Sequence, residues 1–171
     1  MNWMVPSAAM VTNPSLDLRF RSADPAEAER LGEIVIVGVS HWGHDVNYPA
    51  AVDSLRAEGL PTPEYVARSP VFVLEDGDGL IGFYGLGVEP DHVELIYLFL
   101  DTDRIGAGFG RRLWDHALVE AARHGTRLVI KSDPMAVGFY EAMGATRGPE
   151  VEISPGFRLT TLTLDLDESA S

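Results

Sequence analysis

Apolar and charged side chains alternate at the start of the chain, with Leu16, Leu18 and Phe20 set against Asp17, Arg19 and Arg21. That is the period of a half-buried strand. Asp24-Pro25-Ala26-Glu27 then places a capping residue, a proline at the first helical position and an acid at the third, which predicts a helix start. The helix runs to about Val39, although Ile34, Val35, Ile36 and Val37 favour a strand by propensity. A second short helix is predicted over Pro49–Glu58, ending at Gly59, with Pro61-Thr62-Pro63 as a loop.

Val71–Leu74 and Leu80–Leu86 read as strands joined by the turn residues Glu75-Asp76-Gly77-Asp78-Gly79. Val93–Leu100 is almost continuously apolar and predicts a strand buried on both faces. After a glycine-rich segment, Leu113, Trp114, Ala117, Leu118, Ala121 and Ala122 fall on one helical face that stops at Gly125. Leu128–Ile130 is a short buried strand, Asp133-Pro134 opens a helix ending at Gly144, and Arg158–Leu166 alternates as a last strand. The order predicts one mixed α/β domain over residues 16–166, with a loose arm at 1–15 and a short acidic tail at 167–171.

Composition narrows the function classes. The 171 residues include 13 basic and 26 acidic side chains, a net charge of −13, which disfavours nucleic acid as a partner. No apolar run approaches the ~18–20 residues needed to cross a bilayer, so no membrane partner is expected. Met1–Ser15 lacks a charged start and is interrupted by Pro6 and Pro14, which suits a cytoplasmic protein better than an export signal. The absence of cysteine removes thiolate metal sites and a cysteine acyl-enzyme, and no His/Asp/Glu spacing points to a metal. The acidity is uneven: Arg104–Lys131 holds six basic and two acidic residues, a local +4 against −17 for the remainder. Such a patch suits an anionic ligand, or is a set of solvated helix positions.

Ile105-Gly106-Ala107-Gly108-Phe109-Gly110-Arg111 lies between a strand and an amphipathic helix. Glycines let backbone N–H groups converge on one point, and the helix N-terminus adds partial positive charge, so the arrangement suits a phosphate. Arg104, Arg111 and Arg112 place fixed charge nearby. The dinucleotide spacing fails, because the required third glycine position holds Arg111 or Leu113, and no Gly-Lys-Ser/Thr exists for a Walker loop.

These pieces resemble the GNAT superfamily of acetyl-CoA-dependent N-acetyltransferases. Leu98-Phe99-Leu100-Asp101 with Ile105–Arg111 is similar to the family's strand and pyrophosphate loop. Asp133-Pro134-Met135-Ala136 through Phe139-Tyr140-Glu141-Ala142-Met143-Gly144-Ala145 is similar to its second motif, and the element order over Leu16–Leu166 follows the family's. The resemblance implies a central, mostly antiparallel sheet of about seven strands flanked by about four helices. It implies acetyl-CoA as co-substrate and no metal. The backbone of Leu98–Leu100 would meet the pantetheine arm, the amides of Gly106–Arg111 the pyrophosphate, and Asp133, Ala136 and Tyr140 would complete the coenzyme site. Three positions depart from the family: Ile105 replaces Arg or Gln, Asp133 replaces Asn, and Ala145 replaces an aromatic residue.

By the same resemblance Tyr140 is the general acid toward the leaving thiolate, or else an aromatic core residue beside Phe139. Glu94, interrupting an apolar strand, stands where some members carry a base, and is otherwise a solvated strand-start glutamate. His41, Trp42 and His44 lie in the segment that borders the acceptor pocket. The implied reaction is direct acetyl transfer to a primary amine in a ternary complex. The acceptor is a small molecule or a lysine, and the acidic remainder favours a cationic one. A non-catalytic acyl-CoA-binding module of the same fold is the alternative, and pairing through late strands implies a homodimer.

Overall fold

The computed structural model describes residues 17–166, the Asp45 side chain excepted. The expected N-terminal arm, Leu16 and the acidic tail lie outside the described residues. The chain enters on a short strand, β1 (Arg19–Ser22), whose Arg21 guanidinium bridges Glu27 and Glu75. Asp24 then forms a reciprocal capping box. Its carboxylate accepts from the Ala26 N–H at 2.8 Å, and the Glu27 carboxylate accepts from the Asp24 N–H at 2.8 Å. A single turn over Pro25–Glu27 leads into α1 (Ala28–His41).

Leu31, Ile34, Val35 and Gly38 of α1 are buried at helical spacing. Tertiary burial of that stripe outweighs the β-branched propensity of Ile34–Val37, because propensity differences are only tenths of a kcal/mol per residue. Three shorter helices follow: α2 (His44–Asn47), α3 (Pro49–Glu58) and α4 (Pro63–Arg68). The reading of Pro61-Thr62-Pro63 as plain loop needs correction, since Thr62 caps α4 by accepting from the Tyr65 N–H at 3.1 Å. A six-residue helix burying one side chain, Val66, is too short to show a period.

Strands β2 (Val71–Asp76) and β3 (Gly79–Val88) form the expected hairpin, followed by β4 (Val93–Leu100), α5 (Phe109–Ala122), β5 (Arg127–Ser132), α6 (Val137–Ala142), β6 (Thr146–Ser154) and β7 (Phe157–Asp165). One seven-stranded sheet results, ordered β1-β2-β3-β4-β5-β7-β6, and every pairing is antiparallel except β4 with β5. Side chains on one face (Tyr84, Leu95, Leu128) pack with α5 and α6 around Leu113, Trp114 and Tyr140. Those on the other (Val73, Phe83) pack with α1 and α4 around Leu31, Val35 and Val66. Phe83 and Tyr84 are consecutive yet belong to opposite layers, as the strand period requires.

The site is created by how β4 ends. Its parallel pairing with β5 stops at Leu95 opposite Ile130. On its other side Gly85 faces Tyr97 and Leu86 faces Leu95, so Ile96 is an extra residue without a partner in β3. Such a bulge bends its strand and increases local twist. The expectation of a strand buried on both faces therefore holds only for its first residues. Ile96 is 43% exposed, and beyond Leu95 the edge of β4 that faces β5 has no neighbouring strand among the described residues.

Close contact between β3 and β4 depends on Gly82, where an added Cβ would lie 2.5 Å from the Phe99 carbonyl oxygen and 2.9 Å from Leu100 Cδ2. Backbone cannot yield there as a flexible side chain would. Gly82→Ala is therefore expected to destabilise the protein by about 1–3 kcal/mol, read as a lower urea midpoint with unchanged slope. His116 supplies a second test. It stacks on Phe20 with ring centroids 3.9 Å apart and lies 2.7 Å from the Tyr84 hydroxyl. Burial pushes its pKa below the ordinary 6.5. The unfolded chain then binds a proton at this residue before the folded one does. Its contribution to stability is therefore flat above about pH 6.5 and falls as the solution is acidified. Denaturation midpoints between pH 8 and pH 5 should fall less steeply in His116→Gln than in the wild type.

Candidate functional site

Where β4 and β5 part, a cavity of about 640 Å³ opens. Leu95–Leu100 form one wall and Ile130–Asp133 the other. Val35, Gly38, Ala51 and Val52 reach it from the α1–α3 layer, while Gly108, Arg111, Ala136 and Tyr140 reach it from the α5–α6 layer. Since the sheet separates those layers, the cavity passes through the sheet at the parting. A ligand entering from one face can meet a second ligand entering from the other.

On the α5 side the chain makes a short turn over Thr102–Arg104 and then two left-handed residues, Gly106 at φ +93° and Gly108 at φ +82°. Gly108 is the N-cap of α5 and offers no side-chain acceptor, so the first N–H groups of a 14-residue helix are left without a side-chain partner. A Cβ added at Gly106 or Gly108 would meet nothing within 4 Å, so both positions border open space. Arg111 lines the cavity beside them. The expected role of Arg104 needs correction. Its guanidinium is held by Asp76 through bonds of 2.7 and 3.0 Å at the β2–β3 hairpin, so its charge is matched there. Arg112 is exposed and does not line the cavity.

The remaining expected coenzyme residues divide. Leu98, Phe99, Leu100, Ile105, Gly106, Gly108, Gly110, Arg111, Asp133, Ala136 and Tyr140 all line the cavity, whereas Ala107 and Phe109 do not. Phe109 instead packs against the α5 core. Tyr140 is 7% exposed, with ring centroids 5.6 Å from Trp114 and 5.2 Å from Phe139. It thus belongs to the core and to the cavity wall together, and burial pushes its phenol above the ordinary tyrosine range. Among the described residues its hydroxyl has no hydrogen-bond partner. Glu94 does not line the cavity; its carboxylate lies 3.3 Å from Lys131 Nζ.

On the α1–α3 side His41 is exposed, set edge-on to Trp42, and does not reach the cavity. Trp42 and His44 do reach it. His44 is 8% exposed, and its Nε2 is in close contact with Asp133 Oδ2. Asp133 Oδ1 accepts from the Met135 N–H at 2.8 Å, so both carboxylate oxygens are engaged. Two residues absent from the sequence reading complete this wall: Tyr48 and Phe157, with centroids 4.7 Å apart and within 5.7 Å of the His44 ring. Neither carries a local signal, because Tyr48 precedes a helix-starting proline and Phe157 follows the turn glycine Gly156, more than a hundred residues away. Among the described residues no cluster of three His, Asp or Glu is arranged for a metal, and no helix is long and apolar enough to cross a membrane.

Residues 67–144 match the family described as acetyltransferase (GNAT) domain. Peptidyl-lysine N-acetyltransferase YjaB of Salmonella typhimurium is 36% identical over 98 residues, which cover 57% of this chain and 60% of that protein's own length. A protein described as GCN5-related N-acetyltransferase: aminotransferase, class-II, from Rhodopseudomonas palustris superposes with a TM-score of 0.74 at 19% identity, covering 87% of this chain and 96% of its own. PaiA N-acetyltransferase from Thermoplasma acidophilum, solved in complex with coenzyme A, gives 0.68 at 17% identity over 86% of this chain and 98% of its own. The family match takes in the strand, the glycine loop and α6, and the fold shared with these acetyltransferase structures extends over most of the chain.

Proposed function

We propose that this chain is an acetyl-CoA-dependent N-acetyltransferase that transfers the acetyl group directly to a primary amine within a ternary complex. The observation that carries this reading is a single cavity bordered by an uncapped helix N-terminus, a free strand edge and a buried tyrosine. The coenzyme bound by the PaiA relative supports the choice of co-substrate.

The residues fit such a co-substrate. The α5 N-terminus, the open Gly106 and Gly108 positions and Arg111 suit a pyrophosphate. The unpaired edge of β4 suits the amides of a pantetheine arm, which can add to it as a further strand would. Acetyl-CoA supplies an activated thioester. Around it, the bulge at Ile96, which has no register partner in β3, is where a backbone N–H would meet the carbonyl oxygen as negative charge develops there. Tyr140, kept protonated by burial, serves as acid rather than base toward the departing thiolate. The amine must be neutral at the moment of attack, since an alkylammonium with a pKa of ~10 has no lone pair.

The acceptor enters from the α1–α3 side, past Trp42, His44, Tyr48 and Phe157. Asp133 is the one carboxylate among the described lining residues, so the preference for a cation rests on the field of the acidic surface.

Calorimetry with acetyl-CoA tests the reading first. Wild-type protein is expected to bind it. Gly108→Val should weaken binding at least tenfold, since a β-branched residue resists the left-handed backbone and its side chain enters the open space. Circular dichroism would verify that the variant is folded. Tyr140→Phe should leave acetyl-CoA affinity within about threefold while lowering kcat by about 10²-fold, measured as thiol release over a panel of primary amines. Absence of acetyl-CoA binding to the wild type would overturn the proposal. Binding without turnover of any amine would favour a non-catalytic acyl-CoA module.

A further inference from the structure

His44 Nδ1 is buried and has no hydrogen-bond partner among the described residues, although its side chain lines the cavity. The ring is nine-tenths buried, with a side-chain exposure of 10%. A buried polar atom left unpaired is costly, so the position is explained best by a partner that arrives with a ligand. The other ring nitrogen identifies the kind of partner. Nε2 faces Asp133 Oδ2, and a carboxylate there accepts a proton-bearing nitrogen. With the proton on Nε2, Nδ1 presents a lone pair.

We infer that His44 is the general base for the acceptor amine and that Asp133 is its positioning residue. The inference rests on the acetyltransferase reading above. His44 Nδ1 takes one proton from the incoming ammonium. The freed amine lone pair forms the C–N bond to the thioester carbonyl carbon, and the C–S bond breaks. Tyr140 gives its proton to the departing thiolate, which ends as a thiol, and the second nitrogen proton, lost as the amide forms, restores the phenol. The imidazolium then releases its proton to solvent. Net, an ammonium and a thioester give an amide, a thiol and one proton.

Asp133 is suited to its part because it is held twice, by the Met135 N–H at Oδ1 and by His44 at Oδ2. It fixes the imidazole tautomer and the ring's orientation, the role of the third group in a base-orienting arrangement. Among the described side chains, Asp133 and Tyr48 are the titratable groups in contact with His44, while Phe157 covers it from β7. Lys131, Arg111 and Tyr140 share the cavity. The Asp133 departure from the family's usual Asn thus has a partner in this chain.

The test compares wild type, His44→Gln and Asp133→Asn with acetyl-CoA and three amine probes: a polyamine, a lysine-containing peptide and an arylalkylamine. For an amine turned over by the wild type, His44→Gln should lower kcat/KM by about 10²-fold at pH 7, leave acetyl-CoA affinity within about threefold, and abolish the acid limb of the pH profile. Asp133→Asn should lower kcat while leaving the amine KM within about threefold, and should reduce the share of His44 that carries its proton on Nε2, because the carboxylate no longer accepts from that nitrogen. Nitrogen-15 spectra of the wild-type imidazoles form an arm that needs no acceptor. His44 should carry its proton on Nε2 and none on Nδ1, and the opposite tautomer overturns the inference. A His44→Gln enzyme with wild-type kcat/KM and an intact acid limb also overturns it. So does a tenfold loss of acetyl-CoA affinity with kcat unchanged, which would assign the nitrogen to the co-substrate. A wild type that binds acetyl-CoA but acetylates none of the probes overturns the acetyltransferase reading itself, and the base with it.

Discussion

The parting of β4 from β5 after Leu95 is the constraint on which the rest of the structure depends. Strands in one sheet lie about 4.8 Å apart, a spacing that leaves no room for a ligand between them. Here the parallel pairing lasts for three residues on each strand, and the bulge at Ile96 then turns β4 away. β5 is meanwhile held along its whole length by β7, from Arg127 opposite Asp165 to Ser132 opposite Thr160. One strand therefore cannot follow the other, and the resulting gap is structural. It supplies the free backbone edge and the passage between the two helical layers.

The dense cores on either side keep that gap from collapsing. Trp114, Leu113 and Tyr140 hold α5 and α6 against one face, and Leu31, Val35 and Phe83 hold α1 against the other. Tyr140 is the meeting point of core and cavity wall. Its ring is locked by Trp114 and Phe139, and that burial also keeps its hydroxyl protonated. A core role and a role at the cavity wall are consequently one and the same placement, not competing explanations of a Phe-Tyr pair.

Local pattern revealed those elements whose cause is local. The cap at Asp24, the hairpin turn after Asp76, the apolar run of β4 and the glycine break before α5 each announce themselves within a few residues. The elements that were hidden are the ones decided at a distance. Helix α4 depends on the Thr62 cap and a docking site against the first turn of the domain, and the Ile96 bulge appears only in the register with β3. The basic window is the instructive case. As a sum over sequence it looks like one patch, but in space Arg104 serves Asp76, Arg123 serves Glu120 and Lys131 serves Glu94. Arg111 is left facing the cavity. Net charge over a window says little when three of its six cations have their own counter-ions.

The contact between His44 and Asp133 shows how a carboxylate in a cavity wall can be coherent. An aspartate standing alone there is unfavourable, because a charge in a poorly solvated cleft loses its hydration. Its environment removes that objection: a backbone N–H on one oxygen and an imidazole on the other distribute its charge away from the cavity. The same contact ties the end of β5 to α2, joining the wall opened by the strand parting to the helical layer above it. His44 lies 89 residues from its partner, so neither residue predicts the other along the chain. In space each makes the other intelligible, since the carboxylate orients the ring and the ring gives the carboxylate a reason to be there.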